Sequence, residues 1–291
     1  MKKIAIVSGK GGVGKSMIAS SLAILFSEFK KIVALDCDVD APNLAVWLGE
    51  PEDWEDIEKI SVSEKPEINN QILKKYSLEE KEKCVQKCRF KALEIRNRNI
   101  FLNPFLCEGC GACEFFCPSG AVKMKPIFGA EVRTKITKYN FPLISGHLFP
   151  GEIGSGKIVS EIKKRGELFN LDLMIIDSAP GTGCPVVSSL QGCDFAILVT
   201  EPSRSGFSDL KRVLKVVNHF KIEWGLIINK WDINFRTSSQ IEKWGQERVL
   251  GKTSYNQEIL KSISNLVPIM ESSLPQKKEV KKIFKKLLNL I

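Results

Sequence analysis

The chain is poor in histidine, has no long apolar segment and contains no internal repeats. Its two histidines, His147 and His219, are scattered and do not form a metal site by themselves. No apolar run reaches the roughly 18 residues that a membrane-spanning helix needs, which excludes a spanning segment. Solenoid-length repeats and low-complexity tracts are also absent. With 43% hydrophobic and 26% charged residues, the composition is that of a globular protein.

The first residues imitate a secretory leader without completing it. Lys2 and Lys3 precede the apolar residues 4–7, but Lys10 interrupts before an apolar region of about 7–15 residues is complete. We therefore expect a cytoplasmic protein. The formal net charge of +9 is compatible with an acidic protein, a lipid surface or a nucleic acid as partner, and charge alone does not choose among them.

The sequence has 9 cysteines, and most of them lie between Cys84 and Cys117. In a reducing cytosol, clustered thiols are expected to be metal ligands or reactive groups rather than disulfides. The run Cys107-x₂-Cys110-x₂-Cys113-x₃-Cys117-Pro118 has the spacing with which bacterial ferredoxins bind iron-sulfur clusters. This spacing predicts a 4Fe-4S cluster.

Two cysteines are candidates for the fourth ligand of that cluster. An upstream pair, Cys84 and Cys88, matches only the second half of another such run, so one cluster is expected. In two-cluster ferredoxins the last cysteine of a run binds the other cluster, which leaves Cys84 with Cys117 as a remaining pair. The expected ligands are Cys88, Cys107, Cys110 and Cys113, with Cys117 as the alternative to Cys88.

Apolar runs typical of buried strands alternate with helical stretches on both sides of the cysteine-rich region. The runs are Ile4–Val7, Ile32–Leu35, Leu173–Ile176, Phe195–Val199 and Gly225–Ile228, and the helical stretches include Lys15–Phe29, Lys157–Phe169 and Phe207–Phe220. This alternation predicts an α/β fold, a doubly wound and mostly parallel sheet. The expected domains are residues 1–50 with 143–291, and an inserted small α+β domain at 51–142.

A phosphate-binding loop follows the first predicted strand directly. The segment Gly9-Lys10-Gly11-Gly12-Val13-Gly14-Lys15-Ser16 satisfies the pattern G-x-x-x-x-G-K-[ST] between a strand and a helix. Its glycines let backbone N–H groups face phosphate oxygens, while Lys15 neutralises the β and γ phosphates and Ser16 ligates Mg²⁺. The predicted nucleotide-binding residues in this region are Gly9, Gly11, Gly12, Val13, Gly14, Lys15, Ser16 and Met17.

The second lysine of the loop, Lys10, resembles the deviant Walker A motif of the MinD, ParA, Mrp and nitrogenase iron-protein family of P-loop ATPases. In that family the lysine reaches the nucleotide of a second subunit, so the resemblance implies a homodimer that forms on ATP binding. It also implies that Lys10, Lys15 and Asp38 are the catalytic residues.

The carboxylates after the second and later strands resemble the family's switch and Walker B segments. By this resemblance Asp38 orients the attacking water, while Asp36 and Asp40 support Mg²⁺ and order their loop. Asp177 resembles the Walker B aspartate, which holds Mg²⁺ through water, and residues 178–183 resemble the second switch. One of the three carboxylates at 36, 38 and 40 alternatively caps the following helix.

The segment Asn229-Lys230-Trp231-Asp232 follows a strand at the expected position of the base. It spells the N-K-x-D motif of guanine-reading GTPases, whereas an asparagine here resembles the adenine-reading residue of deviant Walker A proteins. We expect Asn229 and Lys230 to bind the nucleotide. Lys10 favours ATP, and GTP stays open.

Over nearly the whole chain, these features resemble MinD-superfamily ATPases that carry an inserted ferredoxin-like domain. The resemblance implies ATP, Mg²⁺ and one 4Fe-4S cluster as cofactors. It implies an ATPase that couples nucleotide state to the cluster, for electron transfer or for cluster transfer or assembly with a redox or iron-sulfur protein partner. The alternative is a positioning ATPase like MinD or ParA, which acts at a membrane or other surface and whose cluster is structural.

No nucleic-acid partner is expected. The last stretch, residues 280–291, places apolar residues at helical spacing and resembles the membrane-targeting tail of MinD. Packing of this helix on the sheet is the expected alternative, because most surface helices have this pattern.

Overall fold

The computed structural model describes all residues, 1–291, and divides into two compact units. The larger, here the sheet unit, comprises residues Met1–Glu58, Val132–His147 and Ser155–Ile291. The smaller, here the cysteine unit, comprises Lys59–Glu131 and Leu148–Gly154. The insertion is thus shorter than the expected 51–142, because the residues after Val132 join the large sheet.

The strands are of ordinary length and most belong to one sheet. In chain order they are β1 (Lys2–Ser8), β2 (Ile32–Cys37), β3 (Asp56–Ile60), β4 (Ser63–Ile68), β5 (Leu93–Arg96), β6 (Asn99–Leu102), β7 (Val122–Ile127), β8 (Ala130–Ile136), β9 (Pro142–Leu148), β10 (Leu173–Pro180), β11 (Phe195–Thr200), β12 (Glu223–Asn229) and β13 (Val249–Thr253).

The helices range from single turns to about four turns. They are α1 (Lys15–Ser27), α2 (Leu44–Trp47), α3 (Asn70–Leu73), α4 (Leu78–Gln86), α5 (Ala112–Phe116), α6 (Ser155–Leu168), α7 (Cys184–Leu190), α8 (Arg204–His219), α9 (Phe235–Gly245), α10 (Glu258–Ser264) and α11 (Pro275–Leu288). None of them combines the length and apolar character that a membrane crossing requires.

The large sheet has the order β13-β12-β11-β1-β10-β2-β9-β8-β3. Pairing from β13 through β9 is parallel, which confirms the predicted α/β fold with a mostly parallel sheet. The central strands are mostly apolar because helices cover both faces of such sheets, and β2 is buried along its whole length. The carboxyl ends of β1, β2, β10, β11 and β12 therefore carry the loops that form the principal site.

The last helix, α11, packs into the core of the sheet unit. Val280, Ile283, Phe284 and Leu287 are buried, and the ring of Phe284 meets Phe26 of α1 edge-on with centroids 4.8 Å apart. The apolar stripe is thus already covered by protein. This agrees with the expectation that the helix packs on the sheet.

The cysteine unit is a small α+β arrangement with two antiparallel strand pairs, the sequence-distant β4 with β7 and the adjacent β5 with β6. Its core is a small cluster of buried residues, namely Leu73, Cys84, Leu93, Ile100, Cys117, Ala121 and Val122. Helix α4 begins with a complete capping box, in which Ser77 and Glu80 exchange hydrogen bonds. Of the predicted run, Cys107 and Cys110 lie in the loop before α5, Cys113 lies in α5 and Cys117 directly follows it.

Candidate functional site

A cavity of about 460 Å³ lies at the carboxyl ends of the parallel strands. Of the predicted nucleotide-site residues, those that line it are Gly11, Gly12, Gly14, Lys15, Ser16, Met17, Asp38, Asn229 and Lys230. Gly9, Lys10, Val13, Asp36, Asp40 and Asp177 are not among its lining residues. The structure therefore brings most of the predicted phosphate loop to the same cavity as Asn229 and Lys230, here called the base-side segment.

The glycines of the loop occupy backbone positions that other residues tolerate poorly. Gly14 has φ +88°, and a Cβ there would lie 2.0 Å from Nδ2 of Asn229. Gly9 is packed just as closely, since its Cβ would lie 2.2 Å from the carbonyl oxygen of Asp209 in α8. These close approaches leave the loop's shape no room for side chains at either position.

Lys15, the first residue of α1, forms a buried ion pair with Asp177 at the end of β10. Its Nζ lies 2.6 Å from Oδ1 of Asp177, and the two side chains are 6% and 0% exposed. Burial opposes the charge on Lys15, but the attraction of Asp177 outweighs it and raises the pKa of Lys15. The other carboxylate oxygen of Asp177, Oδ2, is buried and has no hydrogen-bond partner.

Asp36 orders the loop that follows β2. Its carboxylate accepts hydrogen bonds from the backbone N–H groups of Asp38, Asn43 and Leu44, at 3.2, 2.8 and 2.8 Å. Burial, together with the nearby charge of Asp177, raises the pKa of Asp36 to about 7. The oxygens of Asp36 thus bind the backbone at the start of α2, where Asn43 is the N-cap residue, and the predicted role of Asp36 at Mg²⁺ stays a prediction.

Asp38 and Asp40 differ in their surroundings. Asp38 lines the cavity, and burial raises its pKa to about 6, although Lys15 acts in the opposite direction. Asp40 is exposed and lies outside the cavity lining. The structure thus places Asp38 at the cavity and Asp40 outside it. Their predicted roles in catalysis and Mg²⁺ binding stay predictions.

Asn229 connects the phosphate loop to the far side of the cavity. Its Nδ2 donates to the carbonyl oxygen of Val13 at 2.7 Å, and its Oδ1 accepts from Oγ1 of Thr253 at 2.6 Å. Asp232, the last residue of the N-K-x-D segment, is not among the lining residues, and its carboxylate accepts the backbone N–H of Tyr255 at 2.7 Å. In this arrangement Asp232 shapes the loop rather than facing the cavity.

Several residues of the site were not identified from the sequence. The cavity wall includes Trp47 of α2, and Ser254, Tyr255 and Asn256 after β13. Their only sequence signal is position, because they follow strands of the parallel sheet. Glu201, after β11, was missed as well, and it contacts both Lys10 and Lys230.

A second and much smaller cavity, of about 50 Å³, lies in the cysteine unit. The cysteines that line it are Cys88, Cys107, Cys110 and Cys113. Burial raises the pKa of Cys113, and the neighbouring thiols of the same set raise it further. The sulfur of Cys88 accepts a hydrogen bond from the backbone N–H of Ala92 at 3.3 Å. No group of three or more Cys, His, Asp or Glu side chains is arranged so that it could hold a metal ion.

The remaining pair, Cys84 and Cys117, is a disulfide whose Cα atoms are 4.8 Å apart. The expectation that the clustered cysteines are ligands or free thiols is therefore wrong for these two. Both are buried in the core of the cysteine unit. The reason is tertiary: α4 and the end of α5 bring the two Cα atoms to a separation that a disulfide can bridge, which sequence spacing does not reveal.

Residues 4–278 match the family described as CbiA, the CobQ/CobB/MinD/ParA nucleotide binding domain. The chain therefore belongs to this family of nucleotide-binding P-loop proteins. An uncharacterised protein of Methanocaldococcus jannaschii is 36% identical over 291 residues, which cover 99% of this chain and 97% of the relative.

Two further similarities are more distant. An iron-sulfur cluster carrier protein of Pyrococcus abyssi is 24% identical over 236 residues, which cover 78% of this chain and 60% of that protein. The septum site-determining protein MinD of Pyrococcus horikoshii, complexed with Mg-ADP, has a TM-score of 0.63 at 18% identity, with 99% and 96% of the two chains covered. The latter likeness shows that the fold of this chain is that of MinD.

Proposed function

We propose that this protein is a Mg²⁺-dependent ATPase that acts as a nucleotide-controlled switch and forms a homodimer when ATP is bound. The observation that carries the proposal is the buried pair of Lys15 and Asp177 beside a 460 Å³ cavity that the phosphate loop lines. Burying a lysine at a helix start is costly unless an anion compensates it. Asp177 is that anion here, and a phosphate group bound at the positive end of α1 would be a second one next to Lys15.

The residues present suit a magnesium ion. Asp177 has one buried carboxylate oxygen without a partner, and Ser16 lines the cavity next to Lys15. Oxygen ligands and retained waters are what Mg²⁺ prefers. Ser16 and Asp177 would therefore hold the ion, which would neutralise charge on the phosphate oxygens.

Asp38 is the residue we assign to the attacking water. It lines the cavity and is half-buried, and its raised pKa of about 6 still leaves it ionised at neutral pH. An ionised carboxylate at this position can accept a hydrogen bond from water and orient it. The sheet unit thus supplies a phosphate cradle, a metal site and a water-orienting group.

Phosphate release should be measured with ATP and GTP, together with molar mass in ATP, in ADP and without nucleotide. We expect hydrolysis of ATP and a doubling of mass in ATP, and Asp38→Ala should dimerise while it hydrolyses slowly. Glu28→Ala, which removes an exposed carboxylate at the end of α1, is the control. Absence of hydrolysis with either nucleotide would contradict the proposal, and faster hydrolysis of GTP would overturn the choice of ATP.

We further propose that the cysteine unit binds one 4Fe-4S cluster through Cys88, Cys107, Cys110 and Cys113. A specific observation favours this second function: Cys88, which is distant in sequence, lines one cavity with the closely spaced Cys107, Cys110 and Cys113, while Cys117 is bonded to Cys84. The absence of a site for a single ion does not argue against it, since a cluster binds each thiolate through a different iron atom. Such a cluster would supply one-electron chemistry.

Serine variants separate the two candidate fourth ligands. After anaerobic iron and sulfide reconstitution, Cys88→Ser should lose most of the visible cluster absorption, whereas Cys117→Ser should retain it. Cys193→Ser, in the sheet unit, is the control for nonspecific thiol loss. Loss with Cys117→Ser but not with Cys84→Ser, which breaks the same disulfide, would favour the alternative ligand. Absence of bound iron in the unchanged protein would refute the cluster.

The output of the switch has two candidates. The family description names MinD and ParA, which supports a positioning ATPase at a surface at least as well as electron or cluster transfer to a protein partner. The covered stripe of α11 argues that any surface contact uses another part of the chain. Titration of the cluster during ATP turnover discriminates the two: an unchanged hydrolysis rate and partner affinity on reduction supports the positioning function.

A further inference from the structure

Glu201 joins two lysines at the edge of the phosphate loop. Its Oε1 lies 2.6 Å from Nζ of Lys10, and its Oε2 lies 3.3 Å from Nζ of Lys230. Lys230 in turn donates to the carbonyl oxygen of Gly12 at 2.8 Å. One carboxylate therefore holds the lysine of the deviant motif and the lysine of the base-side segment at the same time.

Hydrogen bonds hold the backbone on both sides of Glu201 in place. Thr200, the last residue of β11, donates from Oγ1 to the carbonyl oxygen of Gly206 at 3.1 Å. Ser203 caps α8 by accepting the N–H of Gly206 at 2.9 Å, and its own N–H donates to the carbonyl oxygen of Glu201. Because this turn is fixed at both ends, the long side chain of Lys10 is the movable member of the pair.

The ion pair with Glu201 holds the Lys10 side chain against its own chain. The Nζ of Lys10 also donates to Oγ of Ser205 at 3.4 Å, and Lys10 does not line the nucleotide cavity. A lysine that is to contact the nucleotide of a second copy must leave these partners. The Glu201 carboxylate is only 14% exposed, so the pair is less screened by water than an open surface ion pair.

We propose that Glu201 is a positioning residue that restrains Lys10 in the single chain and opposes ATP-driven dimerisation until Lys10 is released. This inference rests on the proposed function, in which Lys10 reaches the partner's nucleotide. A contact that exists only in the unassembled state shifts the equilibrium away from the dimer by its own free energy. The negative charge of the partner's triphosphate then competes with Glu201 for the lysine.

The test is dimerisation with a non-hydrolysable ATP analogue, followed by molar mass, for the wild type and Glu201→Gln. Removing the charge should lower the analogue concentration at half-maximal dimerisation by about tenfold, within the range of ordinary coupling between sites. Lys10→Ala should itself weaken dimerisation, and adding Glu201→Gln to it should not restore dimerisation. Glu223→Gln, which removes an exposed carboxylate paired with Arg248, is the matched control.

A second readout separates restraint of Lys10 from support of the pocket. At protein concentrations that keep the chain monomeric, Glu201→Gln should bind a fluorescent nucleotide as the wild type does. A higher dimerisation midpoint, or weaker monomer binding in both backgrounds, would overturn the inference and make Glu201 a support of the pocket. Normal dimerisation of Lys10→Ala itself would instead refute the proposed role of Lys10, which is a different failure.

Discussion

The two units differ in what holds their site residues in place. In the sheet unit, each site group is held by neighbours within the protein: Lys15 by Asp177, Asp36 by three backbone N–H groups, and Asn229 by Val13 and Thr253. In the cysteine unit, four thiols surround a small cavity, and a disulfide and a small core support them.

This difference follows from size and core. The sheet unit buries an extended apolar core that runs from α1 to α11, so its site can be organised without a ligand. The cysteine unit has a handful of buried residues, and small domains of this kind usually depend on disulfides or metals. We therefore expect ligand loss to affect activity in the first unit and folding in the second.

The largest expected effect tests whether the sheet unit's site works through its buried ion pair. Lys15→Ala should lower the rate of ATP hydrolysis by about 10³-fold, because a preorganised charge at the phosphates is lost. Phosphate release measures this. Lys3→Ala, at the other end of β1, should leave the rate unchanged. A Lys15→Ala variant that stays folded and retains more than a tenth of the activity would contradict the assigned role.

The second test concerns the cysteine unit's dependence on cross-links. Replacing both Cys84 and Cys117 by serine removes a disulfide that spans 33 residues of sequence, which costs about 4 kcal/mol in the chain-entropy account. Hydrogen exchange should show lost protection in α4, β5 and β6, while β1 and β10 stay protected. Equal loss of protection in both units would contradict the expectation that only the cysteine unit depends on the disulfide.

A third test asks whether polar networks stabilise the sheet unit without any ligand. Lys163 of α6 is largely buried and donates to the carbonyl oxygens of Ser188, Ser189 and Gln191 at the end of α7. Burial lowers the pKa of Lys163. Lys163→Met would leave these carbonyls without a donor, and we expect a loss of about 2–3 kcal/mol, measured by urea unfolding. Lys164→Met, on the exposed neighbour, should change stability by less than about 0.5 kcal/mol.

The smallest expected effect is a pH dependence of the nucleotide-free sheet unit. Burial raises the pKa of Asp38 from 3.8 to about 6, so the folded chain keeps a proton that the unfolded chain releases. Stability should therefore fall as the pH rises through this window, by roughly 1–2 kcal/mol after allowance for solvent screening.

Urea unfolding at pH 5 and pH 8 measures this difference. Asp38→Asn should reduce the dependence without abolishing it, because the raised pKa of Asp36 acts in the same direction. Asp40→Asn on the exposed neighbour should leave it unchanged. The same pH dependence in the wild type and in Asp38→Asn would contradict the raised pKa of Asp38.

Local patterns were enough to predict the five adjacent strands β12, β11, β1, β10 and β2, the phosphate loop and half of the residues that line the cavity. The loop motif and the buried runs are read from contiguous residues, and parallel strands bring their carboxyl ends to one edge of the sheet. That rule placed Lys15, Ser16, Asp38 and Asn229 around one space before any coordinates. It could not find Glu201 or Trp47, whose residue types are unremarkable and whose roles depend on what lies opposite them.

The sequence alone determined the class of fold, the nucleotide loop and a cysteine spacing that favours a cluster. Which cysteines become a disulfide, which aspartate orders a loop and which faces the cavity, and which carboxylate restrains Lys10 were decided by tertiary structure. The reason is that these assignments depend on distances between side chains far apart in the chain, and on burial that changes the charge states of those side chains.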